Sequence, residues 1–370
     1  MHEGQRAVNA LKPRPGILSI EPYRAGESVI AGVERIIKLS SNENALGPSP
    51  RAIAALEKCA REQHRYPDGT YEPLRRALGR HYGLDAERIV CGAGSDELIT
   101  LLTRAYAGPG EEVLYSEYGF LMYPITALGV GAKPVAAREK ALRADVKALL
   151  AGLSQKTRIL FLANPNNPTG SYLARDEVQR LVDGLPKDVL LVIDAAYAEY
   201  VTRNDYSAGA ELVEAHDNVV MTRTFSKIYG LAGVRLGWAY CPPAVADVLN
   251  RLRNPFNVTA PAQAAALAAL EDIAHVAAAR ANNDIWLPWV SAELERIGLK
   301  VAPSVGNFVL VRFPREQHRN ADAADAFLAR HGIIPRKMGA YKLPDSLRIT
   351  IGREDEMRLL VSTLAEFMRA

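Results

Sequence analysis

Short apolar runs recur through the first two thirds of the chain, at 88–91, 113–115, 158–163, 189–193, 219–221 and 236–240. Runs of this length, apolar at successive positions rather than alternate ones, predict strands buried on both faces. Segments with helical start and stop signals lie between them. Ser49 with Pro50 behind it opens a helix to about 61, and the helices 71–82 and 175–183 stop at Gly83 and Gly184. The turn Gly92-Ala93-Gly94-Ser95-Asp96-Glu97 opens another to about 106. Strands alternating with helices imply an α/β fold with a mostly parallel sheet covered on both sides.

The rhythm changes after about residue 255. A long Ala-rich helical region at 261–297 leads to an alternating stretch at 307–313, a helix at 321–330, a strand at 346–351 and a terminal helix from about 354. This reads as a smaller α+β portion. Residues 1–45 have little periodicity and hold Pro13, Pro15 and Pro22, so they read as an extended arm. The expected organisation is an arm, 1–45, belonging to the small domain, a large domain, 46–258, and a small C-terminal domain, 259–370.

Composition narrows the function. The 370 residues are 48% hydrophobic and 24% charged, with a formal net charge of +3. That balance, with no basic stripe, argues against a nucleic-acid partner. Cys59, Cys91 and Cys241 are too widely spaced for a metal-ligand pattern and suggest a reducing compartment. No His/Cys/Asp/Glu spacing points to a metal. The charged N-terminus lacks a signal-peptide core, and no apolar run reaches membrane-spanning length, so the expected location is the cytoplasm.

Chemistry is expected at the carboxyl ends of the strands, where open α/β sheets gather their ligands. Lys227 follows the run 219–221 in a Ser/Thr/Gly-rich turn, suited to Schiff-base chemistry once desolvated near a cation. Ser226 and Arg235 offer that turn a hydroxyl and a guanidinium fork for a phosphate. Gly94-Ser95-Asp96 sits at a helix N-terminus, whose free N–H groups form an anion cradle. Asn167 lies between two proline-bearing turns. Asp194 ends an apolar run, where a carboxylate is partly buried and needs a partner, and Tyr197 follows three positions on.

These motifs, in this order, with Tyr118 between them, resemble the fold-type I aminotransferases that use pyridoxal phosphate. Within that family, Lys38-Leu39-Ser40-Ser41-Asn42-Glu43-Asn44, the turn Tyr66-Pro67-Asp68-Gly69 and Gly332-Ile333-Ile334-Pro335-Arg336 with Leu347-Arg348-Ile349-Thr350 are similar to the histidinol-phosphate branch. The resemblance implies a large domain with a mostly parallel sheet, a small α+β domain and a pyridoxal 5'-phosphate cofactor. It implies that Lys227 carries the cofactor and shuttles a proton, Asp194 pairs with the ring nitrogen, and Tyr197 and Asn167 bond its phenolic oxygen. Tyr118 would stack on the ring, and Gly94, Ser95, Asp96, Ser226 and Arg235 would bind the phosphate. Tyr23, Asn42, Tyr66, Asn167, Arg336 and Arg348 would meet the substrates, histidinol phosphate and 2-oxoglutarate or glutamate. Tyr66 would come from the second subunit of a homodimer. Ala195 stands where the family usually has glutamate, at a position that is not a cofactor ligand. An aromatic amino-acid aminotransferase is the alternative on the same scaffold, and threonine-phosphate decarboxylase is a further relative. A cofactor-binding regulator would need an added DNA-binding domain, for which no residues remain.

Overall fold

In the computed structural model, residues 12–23, 26–30, 32 and 35–369 are described, so residues 1–11 of the expected arm lie outside the described residues. The strands are β1 (Ile37–Lys38), β2 (Ile89–Gly92), β3 (Glu112–Ser116), β4 (Lys133–Ala137), β5 (Thr157–Ala163), β6 (Leu190–Asp194) and β7 (Val219–Thr224). They continue with β8 (Gly237–Tyr240), β9 (Lys300–Val301), β10 (Phe308–Arg312), β11 (Ile333–Ile334), β12 (Arg336–Lys337) and β13 (Ser346–Thr350).

The large sheet has seven strands in the order β2-β8-β7-β6-β5-β3-β4. All run parallel except β8, which is antiparallel to both neighbours. Side chains alternate across each strand, and the two faces have different partners. Leu160, Leu162, Leu191 and Ile193 face one core with the helices Pro50–Cys59, Glu72–Tyr82 and Arg175–Asp183. Ile159, Phe161, Val192 and Val220 face the other, with the helices Ser95–Tyr106, Met122–Val130 and Pro243–Leu252. The runs are apolar at successive positions because both faces are covered.

Local signals account for the helix ends. The Ser49 hydroxyl accepts from the Ala52 N–H at 3.1 Å, with Pro50 as the first helical residue. Gly83 ends Glu72–Tyr82 at φ 69°, a conformation glycine adopts without strain.

The expected strands omitted β4. Its sequence Lys-Pro-Val-Ala-Ala lies at the sheet edge with partly exposed positions, so the apolar signal of a buried strand is weak, and Pro134 is tolerated there. The Ala-rich region is also two helices, Ala260–Glu271 and Ile273–Arg296, rather than one. Asp272 breaks them, its side chain accepting from the His275 N–H at 3.3 Å as an N-cap. The first of the two buries Ala262, Ala265, Ala266 and Ala269 in the core of the large sheet.

A four-stranded sheet of order β12-β13-β10-β9 and the pair β1-β11 form the remaining β structure. Val309, Val311, Leu347 and Ile349 pack on the helices Ile273–Arg296, Ala321–Arg330 and Glu354–Arg369 through Trp286, Val290, Leu328, Leu360 and Phe367. Arg348 lies between Leu347 and Ile349 and so leaves by the opposite face. Arg336 is its cross-strand partner and shares that face.

Beneath the large sheet's carboxyl edge, Arg223 of β7 pairs with Glu199 at 2.8 Å, both side chains less than a tenth exposed. The guanidinium lies 4.8 Å from the Tyr82 ring centre, and the Tyr82 hydroxyl donates to Glu199 at 3.2 Å. Removing one partner of a buried pair strands the other charge. Glu199→Ala is expected to destabilise the protein by about 3–5 kcal/mol in urea unfolding; a loss within the range of an ordinary surface substitution would contradict this account.

Candidate active site

Strands β2, β3, β5, β6 and β7 point their carboxyl ends the same way, and a cavity of about 200 Å³ opens there under the small sheet. Asp194, Tyr197, Ser226, Lys227, Arg235, Ser95, Asp96 and Asn167 line it from the large sheet. Tyr23, Asn42, Arg336 and Arg348 line it from the arm and the small sheet.

Lys227 arrives because β7 ends at Thr224, whose hydroxyl accepts from the Ser226 N–H at 3.1 Å and turns the chain while Phe225 is buried. Its amine donates to the Ser41 carbonyl at 3.2 Å and lies 5.6 Å from the Tyr197 ring centre. Burial, with the Arg348 charge nearby, pushes this amine down to about 8.

Asp194 is the last residue of β6, in register with Ala163 of β5 and Thr222 of β7. Its carboxylate accepts from the Tyr123 hydroxyl at 2.9 Å and the Thr222 hydroxyl at 3.4 Å. These partners are neutral, and burial pushes the carboxyl up to about 6 despite them. Beside it the Tyr197 hydroxyl accepts from the Asn42 amide at 2.9 Å. The Asn42 backbone N–H donates to Thr350 at 2.9 Å, which fixes the arm against β13.

The Gly-rich turn forms the third wall. Gly94, at φ 85°, precedes the helix Ser95–Tyr106 with no side-chain cap, so first-turn N–H groups stay unpaired. A Cβ on Gly94 would stand 2.3 Å from the Arg235 guanidinium, so glycine is what lets Arg235 lie against the turn. Arg235 pairs with Asp96 at 3.0 Å and approaches the Ser226 hydroxyl at 3.5 Å. This wall has the donors of an anion site.

Arg348 is buried. It donates to the Ser40 carbonyl at 2.7 Å and to the Asn167 side-chain oxygen, while its Nε has no hydrogen-bond partner. The Arg336 guanidinium lies 5.8 Å from the Tyr23 ring centre.

Two expected residues stand apart. Tyr118 is not among the cavity-lining side chains; Phe120, two positions later on the same turn, is. Tyr66 is 83% exposed, outside the cavity of its own chain, and stacks on Phe256 at 4.7 Å. Sequence reasoning missed Tyr123, Thr222 and Phe120. Thr222 could have been found from its position on β7, but nothing local marks Tyr123, whose role depends on its helix packing beside β6.

The family described as aminotransferase class I and II matches residues 34–364. The chain is 62% identical over 363 residues, 98% of its own length and 100% of the relative's, to the histidinol-phosphate aminotransferase of Paramagnetospirillum magneticum. It is 58% identical over 357 residues, 96% and 97% of the two lengths, to that of Rhodospirillum rubrum. A crystal structure of histidinol-phosphate aminotransferase from Sinorhizobium meliloti in complex with pyridoxal-5'-phosphate matches with a TM-score of 0.87 at 29% identity, covering 99% of both chains.

A lysine held near 8 exposes its neutral amine as pH rises through that value, well below the ordinary lysine range of about 10.4. In the cofactor-free protein, reductive methylation followed by mass spectrometry is expected to show Lys227 modified with a midpoint near pH 8. A midpoint in the ordinary range would contradict its desolvation.

Proposed function

Because the chain belongs to the class I and II aminotransferases, we infer that it moves an amino group between histidinol phosphate and 2-oxoglutarate on pyridoxal 5'-phosphate. The observation that carries this reading is one cavity in which Lys227, Asp194 and Tyr197 lie opposite Arg348 and Arg336. The high identity to histidinol-phosphate aminotransferases along nearly the whole chain supports the substrate.

The residues present fit the cofactor. The uncapped N-terminus of Ser95–Tyr106, the cradle at Gly94, Ser226 and Arg235 fit its phosphate. Asp194, buried among neutral hydroxyls, fits a protonated ring nitrogen, and such a cation would draw its carboxyl back down. Tyr197 and Asn167 fit the phenolic oxygen, and Lys227 fits the aldehyde. Tyr118, outside the cavity lining, would act on the ring only through its turn, which carries Phe120 into the cavity. When bound, pyridoxal phosphate supplies the electron sink that makes a substrate Cα–H acidic.

This chain's side chains then do three things. Asp194 would hold a proton on the ring nitrogen. Lys227, its amine pushed down to about 8, would hold the cofactor and move the proton at the substrate Cα. Arg348, with Arg336, Tyr23 and Asn42 beside it, binds the anionic end of the substrate. Histidinol phosphate carries its phosphomethyl group where glutamate has its α-carboxylate, so one arginine-lined pocket serves both. Arg348 and Arg336 both line the cavity and so offer it two guanidinium groups for such an anion. Tyr23 and Phe120, edge to face at 6.5 Å, add an aromatic wall for the imidazole.

The test is kcat/KM for histidinol phosphate, phenylalanine and tyrosine with 2-oxoglutarate, in wild type and Arg348→Ala. A large preference for histidinol phosphate is expected. In the variant, kcat/KM for histidinol phosphate and glutamate should fall together, by about 10- to 100-fold. Equal or better aromatic turnover would make the protein an aromatic aminotransferase on the same scaffold, and loss of one anionic substrate alone would mean that they do not share a pocket.

The exposed Tyr66–Phe256 pair fits a homodimer in which each copy offers Tyr66 to its neighbour's cavity. Free Cys59, Cys91 and Cys241 fit a cytoplasmic location. Mixing Lys227→Ala with Tyr66→Ala subunits is expected to restore more activity than the two variants have separately, since a hybrid holds one intact site. Activity no greater than their sum would place Tyr66 outside the neighbour's site.

A further inference from the structure

Glu139 lies two positions beyond the end of β4 and is not among the residues that line the cavity. Its neighbours Arg138 and Lys140 are exposed, whereas its own carboxyl turns inward. One oxygen, Oε1, accepts from the Tyr118 backbone N–H at 3.2 Å and meets the Asn166 side-chain amide at 3.5 Å. That amide also donates to the Tyr118 carbonyl at 3.3 Å and to the Thr169 hydroxyl at 2.9 Å. Both polar groups of the Tyr118 backbone are thereby tied to a unit built from Glu139 and Asn166.

The other oxygen, Oε2, is buried with no hydrogen-bond partner. Burial pushes the carboxyl up to about 7 against the lowering effect of the Tyr118 N–H and Ser116, and the Glu117 charge adds to the rise. Glu117 accepts the Glu139 backbone N–H at 3.1 Å, so the two acids stay close. A carboxyl left partly unsatisfied inside the protein is costly, on an edge segment where a turn to solvent would have been easy.

We propose that Glu139 is a positioning residue for the cofactor, joining the Tyr118 turn to the Asn166 turn through a shared acceptor oxygen. Asn167, next to Asn166, accepts from Arg348, so the tie continues to the anion pocket. The turn that carries Phe120 into the cavity and the Asn167 amide offered to the phenolic oxygen therefore hold a fixed separation. This rests on the pyridoxal phosphate reading. Only the acceptor oxygen is required, so an amide should serve in place of the acid, while an apolar residue strands the Tyr118 N–H.

The experiment compares wild-type holoenzyme with Glu139→Gln and Glu139→Ala by visible circular dichroism of the bound cofactor, by kcat and KM separately, and by thermal melting. Glu139→Ala is expected to weaken the visible dichroic band and lower kcat about 10- to 100-fold with little change in KM, since small misplacements at a reacting centre act on that scale. Glu139→Gln should restore both to within about threefold of wild type. If the alanine variant does not fold, Glu139→Leu, which fills the space without an acceptor, carries the same expectation. A wild-type band and kcat in the apolar variant, with only its melting lowered, would overturn the inference, as would a glutamine variant as impaired as alanine. A wild-type protein with no visible band would instead overturn the cofactor reading, and this inference with it.

Discussion

The Arg348 guanidinium binds the Ser40 carbonyl, 308 positions away, and the Asn167 side chain on the loop after β5. It thereby joins the small sheet, the arm and the carboxyl edge of the large sheet. The geometry follows from strand alternation, because Leu347 and Ile349 enter the small core and Arg348 must leave by the other face. A buried guanidinium requires acceptors, and those acceptors are the segments that close the cavity. Its charge also reaches Lys227 and helps to hold that amine near 8.

Lys227 and Asp194 line one cavity and are pushed in opposite directions, the amine down and the carboxyl up. Both shifts arise first from burial, which disfavours the charged form of each. The two groups do not neutralise one another. Lys227 donates to a backbone carbonyl and Asp194 accepts from two hydroxyls, so both remain able to engage a ligand with an electrophilic carbon and a basic nitrogen. Perturbed groups of opposite type in one cleft mark catalytic sites more often than structural ones.

Much of this was legible beforehand. The run ending at Asp194, the Gly-rich turn at Gly94 and the Ser226-Lys227 turn could be placed at strand ends because parallel strands share one carboxyl edge. Helix limits at Ser49, Gly83 and Gly184 were legible because caps are local. The edge strand β4 was not, since its partly exposed Lys-Pro-Val-Ala-Ala carries little apolar pattern. The break at Asp272 was overlooked, although an aspartate in an Ala-rich region is itself a cap signal. Tyr123 could not be read at all, because its hydroxyl reaches Asp194 only once two elements pack together.

The chain by itself determined most of the strands and helices of the large sheet, and which chemical groups stand where its strands end. Those properties follow from local periodicity and capping. Tertiary structure alone decided that Arg348 and Arg336 descend on Lys227, that Tyr123 and Thr222 hold Asp194, and that Phe120 rather than Tyr118 lines the cavity. Burial, register and charge proximity are properties of packed surfaces, and no local pattern encodes which distant surface will arrive.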